Sequence, residues 1–396
     1  MRTSPRGECN KMKIVVAPDS FKGTFSAREA ADIIERGVVK VFSEARLTKV
    51  PMADGGEGTV EALVDATYGK IVKANVTGPL GEKTEAQYGI LGDGKTAAIE
   101  VAAASGLPLI PRGHANPMNA TTFGTGELLK DALDKGCTKF IIGLGGSATN
   151  DGGSGLAKAL GVRFLDKCGK DIGAGGGSLN KLNSIDIGGI DKRLQNCSFT
   201  AACDVDNPLC GESGASYVFG PQKGANSEMV KVLDEGLANF ARVAKIHLGK
   251  DIKNIPGTGA AGGLGGGLIA FFGARLCRGI DIVIEATQLE NKIKDADLVI
   301  TGEGAMDFQT AYGKTPYGVA QAAKKCGKPV IAIAGCLEKG YETLYDKGFD
   351  AIFSTADKPM NLEKAMGDGA VLLENAAERV MRAVKIGICM KSITIG

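Results

Sequence analysis

The sequence contains little histidine and no tryptophan. Its two histidines, His114 and His247, stand among 396 residues that also include 14 phenylalanines and 7 tyrosines. A histidine-rich zinc site or a Ser-His-Asp triad is therefore poorly supplied, because both depend on imidazole groups. We expect the chemistry of this chain to rest on carboxylates, lysines, hydroxyls and backbone amides.

An excess of one charge is also absent, as is any long apolar run. Lysine and arginine total 47, aspartate and glutamate total 45, and the formal net charge is +2. This balance favours neither a nucleic acid nor a membrane as partner. No stretch reaches the roughly 18 apolar residues of a membrane span. Residues 1–11 lack the apolar core of a secretory signal, so we interpret them as a dispensable extension of a cytoplasmic protein.

Cysteine spacing and glycine content point to different features. The ten cysteines include no CxxC pair, so we expect reduced thiols rather than a disulfide framework. Glycine is abundant, with 58 residues, against about 7% in an average protein. The glycines occur in clusters, which suggests loops where the backbone approaches a ligand closely.

Short apolar runs alternate with helical patterns along much of the chain. This alternation predicts an α/β fold with a Rossmann- or flavodoxin-like parallel sheet and helices on both faces. Ser26 and Glu29 form a predicted capping box at the first helix. The predicted strands are Lys13–Ala17, Leu47–Met52, Lys139–Leu144, Leu298–Thr301, Val330–Ala334 and Ala351–Ser354, and the predicted helices are Ser26–Phe42, Gly126–Lys135, Pro316–Cys326 and Glu363–Val384.

Two segments depart from this alternation and predict a second domain. Residues 71–115 are rich in strand patterns, and residues 161–287 contain long glycine-rich loops. We therefore expect a discontinuous Rossmann-like domain formed by residues 12–70, 116–160 and 288–396. The inserted α/β domain is expected to comprise residues 71–115 and 161–287.

The first polar loop lies between a predicted strand and a predicted helix. It contains Asp19, Ser20 and Lys22. In an open α/β sheet, this position is the ligand crevice at the carboxyl ends of the strands. We expect these side chains to contact a hydroxy acid or a phosphate, with a purely structural polar loop as the alternative.

A second polar cluster follows the next predicted strand. Asp54 and Glu57 stand among three glycines in the run PMADGGEGT. Magnesium is commonly held by one or two carboxylates together with substrate phosphates. We expect this pair to face a magnesium ion or a substrate hydroxyl, and a helix cap with turn glycines is the alternative.

The third polar loop, Gly143–Gly153, is rich in exposed amides and precedes a predicted helix, which suits a phosphate. A dinucleotide fingerprint is a rival interpretation, because the loop fits G-x-G-x-x-A and Asp166 follows, but its polar side chains do not suit a helix packed on a sheet. A plain turn is the third interpretation of this loop. The expected phosphate-binding residues are Gly145, Gly146, Ser147, Asn150 and Asp151.

Two further segments carry polar groups or glycines. Asp204 follows the apolar run FTAAC, and Gln222 and Lys223 lie in the run PQKG. The segment Gly257–Gly267 formally contains G-x-G-x-x-G, but no strand pattern precedes it. An amide-rich loop and close helix packing both stay open for this segment.

The last polar loop follows the predicted strand LVIT. It contains Glu303 and Asp307, and Lys314 stands in a Gly-Lys-Thr run before a predicted helix. A Walker A motif is excluded because Phe308 occupies the position of its required glycine. A lysine before a helix can still meet phosphate charge without that motif.

Together these segments resemble the bacterial-type glycerate kinase family. The resemblance implies a two-domain kinase that uses ATP and Mg²⁺ to phosphorylate D-glycerate, with the 2-phospho product favoured over the 3-phospho product. One departure is Ala305, where the family usually has arginine. The matching motifs, in order, are APDSFKGT, PMADGGEGT, GLGGSATNDGG, CDVDNPLCGESGASYVFGPQKGA, GTGAAGGLGGGL and GEGAMDFQTAYGKTPYGVA.

The general base is expected to be a carboxylate, because histidine is scarce. Asp204 is the first choice and Asp19 the second. A nicotinamide dehydrogenase and a catalytically silent binding protein stay open as alternatives, as does a homo-oligomer. The expected residues are Asp204, Asp19, Lys22 and Lys314 for catalysis, Ser20, Asp54, Gln222 and Lys223 for substrate, Gly145, Gly146, Ser147, Asn150, Asp151, Glu303 and Asp307 for nucleotide or phosphate, and Asp54 and Glu57 for metal.

Overall fold

The computed structural model of the chain describes residues 11–56 and 58–394. It divides into two compact units. The first unit combines the chain up to Asp54 with the chain from Val283 onward, and the second unit is Gly55–Ile282. The first unit is therefore discontinuous, and the second is one insertion within it.

The strands and helices follow one another in an α/β pattern. The strands are β1 (Lys13–Val16), β2 (Arg46–Lys49), β3 (Lys70–Thr77), β4 (Lys83–Ile90), β5 (Thr96–Glu100), β6 (Lys139–Gly143), β7 (Arg163–Leu165), β8 (Ser184–Asp186), β9 (Ser198–Ala202), β10 (Arg275–Cys277), β11 (Leu298–Thr301), β12 (Ala305–Met306), β13 (Val330–Ala334), β14 (Cys336–Leu337) and β15 (Ala351–Ser354). The helices are α1 (Ala27–Val39), α2 (Thr59–Thr67), α3 (Ala102–Ser105), α4 (Phe123–Asp134), α5 (Ser154–Ala159), α6 (Ala215–Phe219), α7 (Ser227–Leu248), α8 (Ala260–Phe272), α9 (Gly279–Thr287), α10 (Leu289–Lys294), α11 (Thr315–Lys325), α12 (Leu362–Gly367) and α13 (Gly369–Thr394).

The first unit is built on a parallel sheet of five strands. Their order is β15-β13-β11-β1-β2, and every neighbouring pair is parallel. The central strands are continuous apolar runs because both faces of a parallel sheet are covered by helices. Side chains of β1, β11 and β13 form one buried core with α1 and α13. This arrangement brings the carboxyl ends of β11, β1 and β2 side by side.

The second unit is built on a mixed sheet of six strands. Their order is β10-β9-β6-β5-β4-β3, with parallel pairing from β10 to β5 and antiparallel pairing from β5 to β3. The antiparallel edge corresponds to the strand-rich segment predicted at residues 71–115. A second core in this unit lies around α7 and the β7–β8 hairpin.

The glycine-rich segment after Gly257 is mostly helix α8, so close packing, one of the two interpretations left open, is the correct one. Gly265 shows the reason, because an added Cβ would lie 2.5 Å from the carbonyl oxygen of Gly257. Only glycine permits backbone to approach this closely. The long helix α7 was not anticipated from the sequence.

The predicted secondary structure is otherwise close to the observed one. Each of the six predicted strands corresponds to an observed strand, within about three residues at its ends. The capping box at α1 is confirmed, since Ser26 accepts from the amide of Glu29 and the Glu29 carboxylate accepts from the amide of Ser26. Among residues 11–56 and 58–394, no helix has both the length and the hydropathy to span a membrane.

The domain boundaries differ from those predicted. Residues 55–70 and 116–160 belong to the second unit, which is inserted once rather than twice. The reason lies in β6, which pairs with β5 and β9 of the six-stranded sheet. A continuous apolar run predicts a buried parallel strand, but it does not specify which of two sheets that strand joins.

Candidate active site

Three carboxylates of the first unit follow three neighbouring strands. Asp19 follows β1, Asp54 follows β2 and Glu303 follows β11. Backbone hydrogen bonds fix the loops together, because the amide of Asp19 donates to the carbonyl of Gly302 and the amide of Met52 donates to the carbonyl of Pro18. These carboxylates, named here the acidic cluster, were all predicted from the sequence, and the structure brings them together.

Asp19 is the most strongly held member of the acidic cluster. One carboxylate oxygen accepts a short hydrogen bond from the Thr315 hydroxyl, and the other accepts from the amide of Ser20 at 2.6 Å. Burial raises the pKa of Asp19 to about 6, opposed by these hydrogen bonds and reinforced by the charge of Asp54. Asp19 can therefore exchange a proton near neutral pH.

Glu303 is perturbed in the same direction. Burial raises its pKa to about 7, the charge of Lys314 opposes the rise, and Asp19 and Asp54 add to it. Its Oε1 accepts from the Thr310 hydroxyl at 2.9 Å. The cluster thus concentrates more negative charge than its surroundings neutralise, and a cation would be stabilised beside it.

Lys314 lies at the start of α11, as the sequence predicted. It is the N-cap residue, and its Nζ is 3.6 Å from Oδ1 of Asp307. The same oxygen of Asp307 accepts from the amides of Gln309 and Thr310 and caps a short 3₁₀ turn. Asp307 therefore has a structural role, while Lys314 is half-buried and close enough to act on Glu303.

The remaining predictions for the first unit concern Ser20, Lys22 and the metal. Ser20 lies beside Asp19, with 3.3 Å between its hydroxyl and Oδ1, and Lys22 is exposed. Glu57 lies outside the described residues. Within the described ones, no group of three or more His, Cys, Asp or Glu side chains is arranged to hold a metal ion unaided.

In the second unit, the loop after β6 turns two glycines outward and its polar side chains inward. Gly145 and Gly146 are exposed, whereas Ser147, Asn150 and Asp151 are buried. We name residues 145–151 the glycine loop. The phosphate cradle at the exposed glycines stays a prediction, and the buried side chains hold the loop in position.

Asp151 shows this structural role clearly. Its carboxylate accepts from the amide and the hydroxyl of Thr122, and from the amides of Gly153 and Gly155, at 2.9 to 3.2 Å. Burial raises its pKa, and these hydrogen bonds oppose the rise. Asp151 thereby joins the starts of α4 and α5, which leaves it without exposed surface for a nucleotide.

Lys223 is buried behind the glycine loop, in a 3₁₀ turn that follows α6. Its Nζ donates to the Ser147 hydroxyl at 2.9 Å and to the Thr149 carbonyl at 2.8 Å. Burial lowers the pKa of Lys223 to about 7, and the charge of Asp151 opposes this. The neighbouring Gln222 is exposed.

Asp204 lies at the end of β9 and is exposed. Its Oδ1 accepts from the amide of Gly279 at 3.0 Å, at the start of α9. The carboxylate therefore contributes to capping α9, and this structural role weakens the assignment of Asp204 as the base.

Sequence reasoning gave no role to Thr315, Thr310 or Ser216. The first two donate to carboxylates of the acidic cluster, and Ser216 accepts from Nδ2 of Asn150 at 3.0 Å. Thr315 belongs to the Gly-Lys-Thr run that the sequence analysis considered, so its position before a helix was an available signal. Thr310 and Ser216 carry no comparable signal.

The fold and these loops define a class of protein before any comparison is made. An α/β chain with carboxylates at neighbouring strand ends, a lysine at a helix start and a rigid glycine loop has the groups that phosphoryl transfer needs, which are positioning and charge neutralisation. It lacks a histidine-based site among its described residues.

Comparison with known proteins agrees with this class. The sequence profile of the glycerate kinase family matches residues 14–385. The chain is 53% identical over 379 residues to a glycerate kinase of Bacillus subtilis, covering 96% of this chain and 99% of that one. It is 52% identical over 377 residues to the glycerate 2-kinase of Escherichia coli, covering 95% and 99%.

A solved structure is similar over the same length. A crystal structure from Salmonella typhimurium LT2, of a protein assigned as glycerate kinase 2, has a TM-score of 0.89 and 51% identity, and the match covers 95% of this chain and 99% of that one. This chain belongs to the glycerate kinase family. It is an enzyme of the kinase class, and the dehydrogenase interpretation is wrong.

Proposed function

We propose that this chain transfers the terminal phosphoryl group of ATP to the 2-hydroxyl of D-glycerate, giving 2-phosphoglycerate and ADP. The observation that carries the proposal is the full-length similarity to glycerate kinases, which include a glycerate 2-kinase that is 52% identical. The acidic cluster and the glycine loop supply the two kinds of group that this reaction requires.

The acidic cluster fits a magnesium ion. Burial, reinforced by the charge of Asp54, disfavours the ionised forms of Asp19 and Glu303, so a divalent cation would stabilise these carboxylates. We infer that Asp54, with Glu57 as predicted from the sequence or with Asp19, holds the ion together with phosphate oxygens. When bound, magnesium neutralises phosphate charge and orients the phosphate groups.

We infer that Asp19, ahead of Asp204, receives the proton of the substrate hydroxyl. A base works best when its pKa lies near the working pH, and burial brings the pKa of Asp19 to about 6. Asp204 is exposed and already accepts from a backbone amide. Ser20 and Lys22 stand beside Asp19 in the chain and are proposed to orient the hydroxyl and to pair with the carboxylate of glycerate.

Two kinds of group are proposed to stabilise phosphate charge. Lys314, at the start of α11, supplies a positive charge, and the helix start attracts anions. The exposed amides of Gly145 and Gly146 supply neutral donors. Stabilisers of this kind act on charge as it develops in the transition state.

The test is a phosphorus NMR assay of the purified chain with ATP, Mg²⁺ and D-glycerate, together with a measurement of ADP. We expect a new phosphomonoester at the 2-position and ADP in equal amount. A reaction without D-glycerate is the control for simple ATP hydrolysis. A product only at the 3-position would overturn the regiochemistry, and the absence of glycerate-dependent ADP would overturn the function.

A further inference from the structure

Lys223 lies behind the glycine loop, to which the proposed function assigns anion binding. Its side chain is almost fully buried, and its Nζ contacts the Ser147 hydroxyl and the Thr149 carbonyl of the glycine loop. Burying a charged lysine costs free energy unless hydrogen bonds compensate for its lost hydration. Both contacts lie on the inner side of a loop whose glycines face outward.

The direction of the hydrogen bond to Ser147 is fixed by chemistry. An ammonium group has only donors, so the oxygen of Ser147 must accept from Lys223. The hydroxyl hydrogen of Ser147 therefore points away from Lys223. It is then free to be donated to another acceptor.

Other contacts hold the loop from the same inner side. Nδ2 of Asn150 donates to Ser216 of α6, and the amide of Gly152 donates to the carbonyl of Gly262. Gly262 has φ +67°, and an added Cβ would lie 1.9 Å from the Thr149 carbonyl oxygen. The loop therefore rests directly on the backbone of α8 and has little freedom to move.

The loop also contains buried polar atoms that the described residues leave unsatisfied. The Thr149 hydroxyl and Oδ1 of Asn150 are buried and make no hydrogen bond with them. Unsatisfied buried groups are uncommon in folded proteins and call for an explanation. A conformation that serves a binding site rather than stability is one such explanation.

We propose that Lys223 is a positioning residue, which from behind the glycine loop orients the Ser147 hydroxyl toward an anionic oxygen. The oxygen belongs to a phosphate of the nucleotide or to the carboxylate of glycerate. This inference rests on the proposed function and replaces the direct contact between Lys223 and substrate that the sequence suggested.

The proposal has a consequence for pH. A neutral amine has a lone pair and can accept the hydrogen of Ser147, which turns the hydroxyl away from the anion. Burial lowers the pKa of Lys223 to about 7, and Asp151 is the charged group that acts on it in the opposite direction. Anion affinity should therefore fall as pH rises above neutrality.

The experiment compares Lys223→Met, Lys223→Arg, Ser147→Ala and the double variant Lys223→Met/Ser147→Ala. Lys158→Met is the matched control, since Lys158 also donates to two backbone carbonyls, of Ile172 and Gly173, elsewhere in the unit. The readouts are KM for ATP and for D-glycerate, and the shift in Tm that ADP or D-glycerate causes.

We expect Lys223→Met and Ser147→Ala each to raise one KM by about 10-fold or more, the scale of one hydrogen bond to a charged group. Their effects should not add in the double variant. The KM that rises identifies the anion as nucleotide or glycerate. Wild-type KM should also increase with pH above neutrality, and Ser147→Ala should remove that dependence.

The Tm shifts keep the inference separate from the proposed reaction. If wild-type protein makes no product, the function fails, but the Tm shift caused by ADP or D-glycerate still tests Lys223. If Lys223→Met does not fold, Ser147→Ala tests the KM effect, and Lys223→Arg, whose guanidinium stays protonated, should remove the pH dependence. Unchanged KM values and Tm shifts in Ser147→Ala, a pH dependence that persists in Lys223→Arg, or additive effects in the double variant would overturn the inference, as would an equal loss in Lys158→Met.

Discussion

The strand-end loops of the two units offer opposite chemistry. In the first unit, burial raises the pKa of Asp19 and of Glu303, and both carboxyl groups lie close enough to Asp54 to feel its charge. In the second unit, Ser147 and Lys223 stand with exposed glycine amides in a loop rich in donors. On the proposed function, proton and metal binding fall to carboxylates of the first unit, and the second unit contributes anion-binding donors in addition to Lys22 and Lys314 of the first.

One physical cause produces opposite pKa shifts in the two units. Burial disfavours the charged form of any group, so it raises the pKa of a carboxyl and lowers the pKa of a lysine. Burial brings the pKa of Asp19 to about 6 and the pKa values of Glu303 and Lys223 to about 7. Both units therefore contain groups that change protonation near neutral pH.

The largest expected effect comes from removing the proposed base. Asp19→Asn keeps the shape of the side chain and removes its charge, so kcat should fall by about 10²- to 10⁴-fold. Asp204→Asn is the matched control and should keep kcat within a few-fold. Steady-state kinetics of both variants, with circular dichroism to verify folding, provides the measurement. If Asp204→Asn lowers kcat strongly and Asp19→Asn does not, Asp204 is the base instead.

A smaller effect is expected at the start of α11. Lys314→Met removes a positive charge near Glu303 and should lower kcat by about 100-fold, the scale of losing one electrostatic stabiliser. Lys324→Met is its control, because Lys324 lies at the other end of the same helix and pairs with Asp350. Measured kcat near the wild-type value in Lys314→Met would remove this lysine from the site.

The opposite pKa shifts predict opposite dependences of stability on pH. Asp19 and Glu303 have folded pKa values above their unfolded ones, so the folded state binds more protons and stability falls as pH rises from about 4 to about 7. Lys223 has a folded pKa below its unfolded value, so stability rises with pH from about 7 to about 10.5.

Thermal unfolding of metal-free protein across this range tests both slopes. Glu303→Gln should flatten the fall on the acid side and leave the alkaline side unchanged. Lys223→Met should flatten the rise on the alkaline side and leave the acid side unchanged. If either variant alters both limbs equally, the shifts do not belong to separate groups of residues and the comparison fails.

The smallest expected effect is at Ala305, between Glu303 and Asp307 in the chain. Ala305→Arg adds a positive charge to a segment dominated by carboxylates, so KM for ATP should fall by a few-fold, the scale of a partly exposed ion pair. Ala305→Gln adds similar bulk without charge and should leave KM unchanged. An equal change in both variants would assign the effect to bulk.

Much of the fold follows from simple patterns in the sequence. Strands such as Val330–Ala334 are uninterrupted apolar runs, which is the pattern of a parallel strand covered on both faces. Because these strands share one edge, the loops containing Asp19, Asp54 and Glu303 could be predicted to face a common ligand. The acidic cluster could therefore be predicted from the sequence.

Features that depend on contacts between residues distant in sequence could not be predicted. The run Lys139–Gly143 identified a strand but not its sheet. The glycines of α8 favour a loop by local propensity, yet most of them are helical and packed against distant backbone, with a kink at residues 261–263. The burial of Lys223 results from contacts with Ser147 and Thr149, which are far away in sequence. No local pattern distinguishes such a lysine from one that touches substrate.

The division of tasks is tested most directly by the pH dependence of the initial rate with both substrates well below KM, which reports groups of the free enzyme. The account predicts a bell, with an acid limb from Asp19 and an alkaline limb from Lys223, and with the alkaline limb absent in Lys223→Met. A rate independent of pH between about 5 and about 9, or an alkaline limb that persists in Lys223→Met, would contradict it.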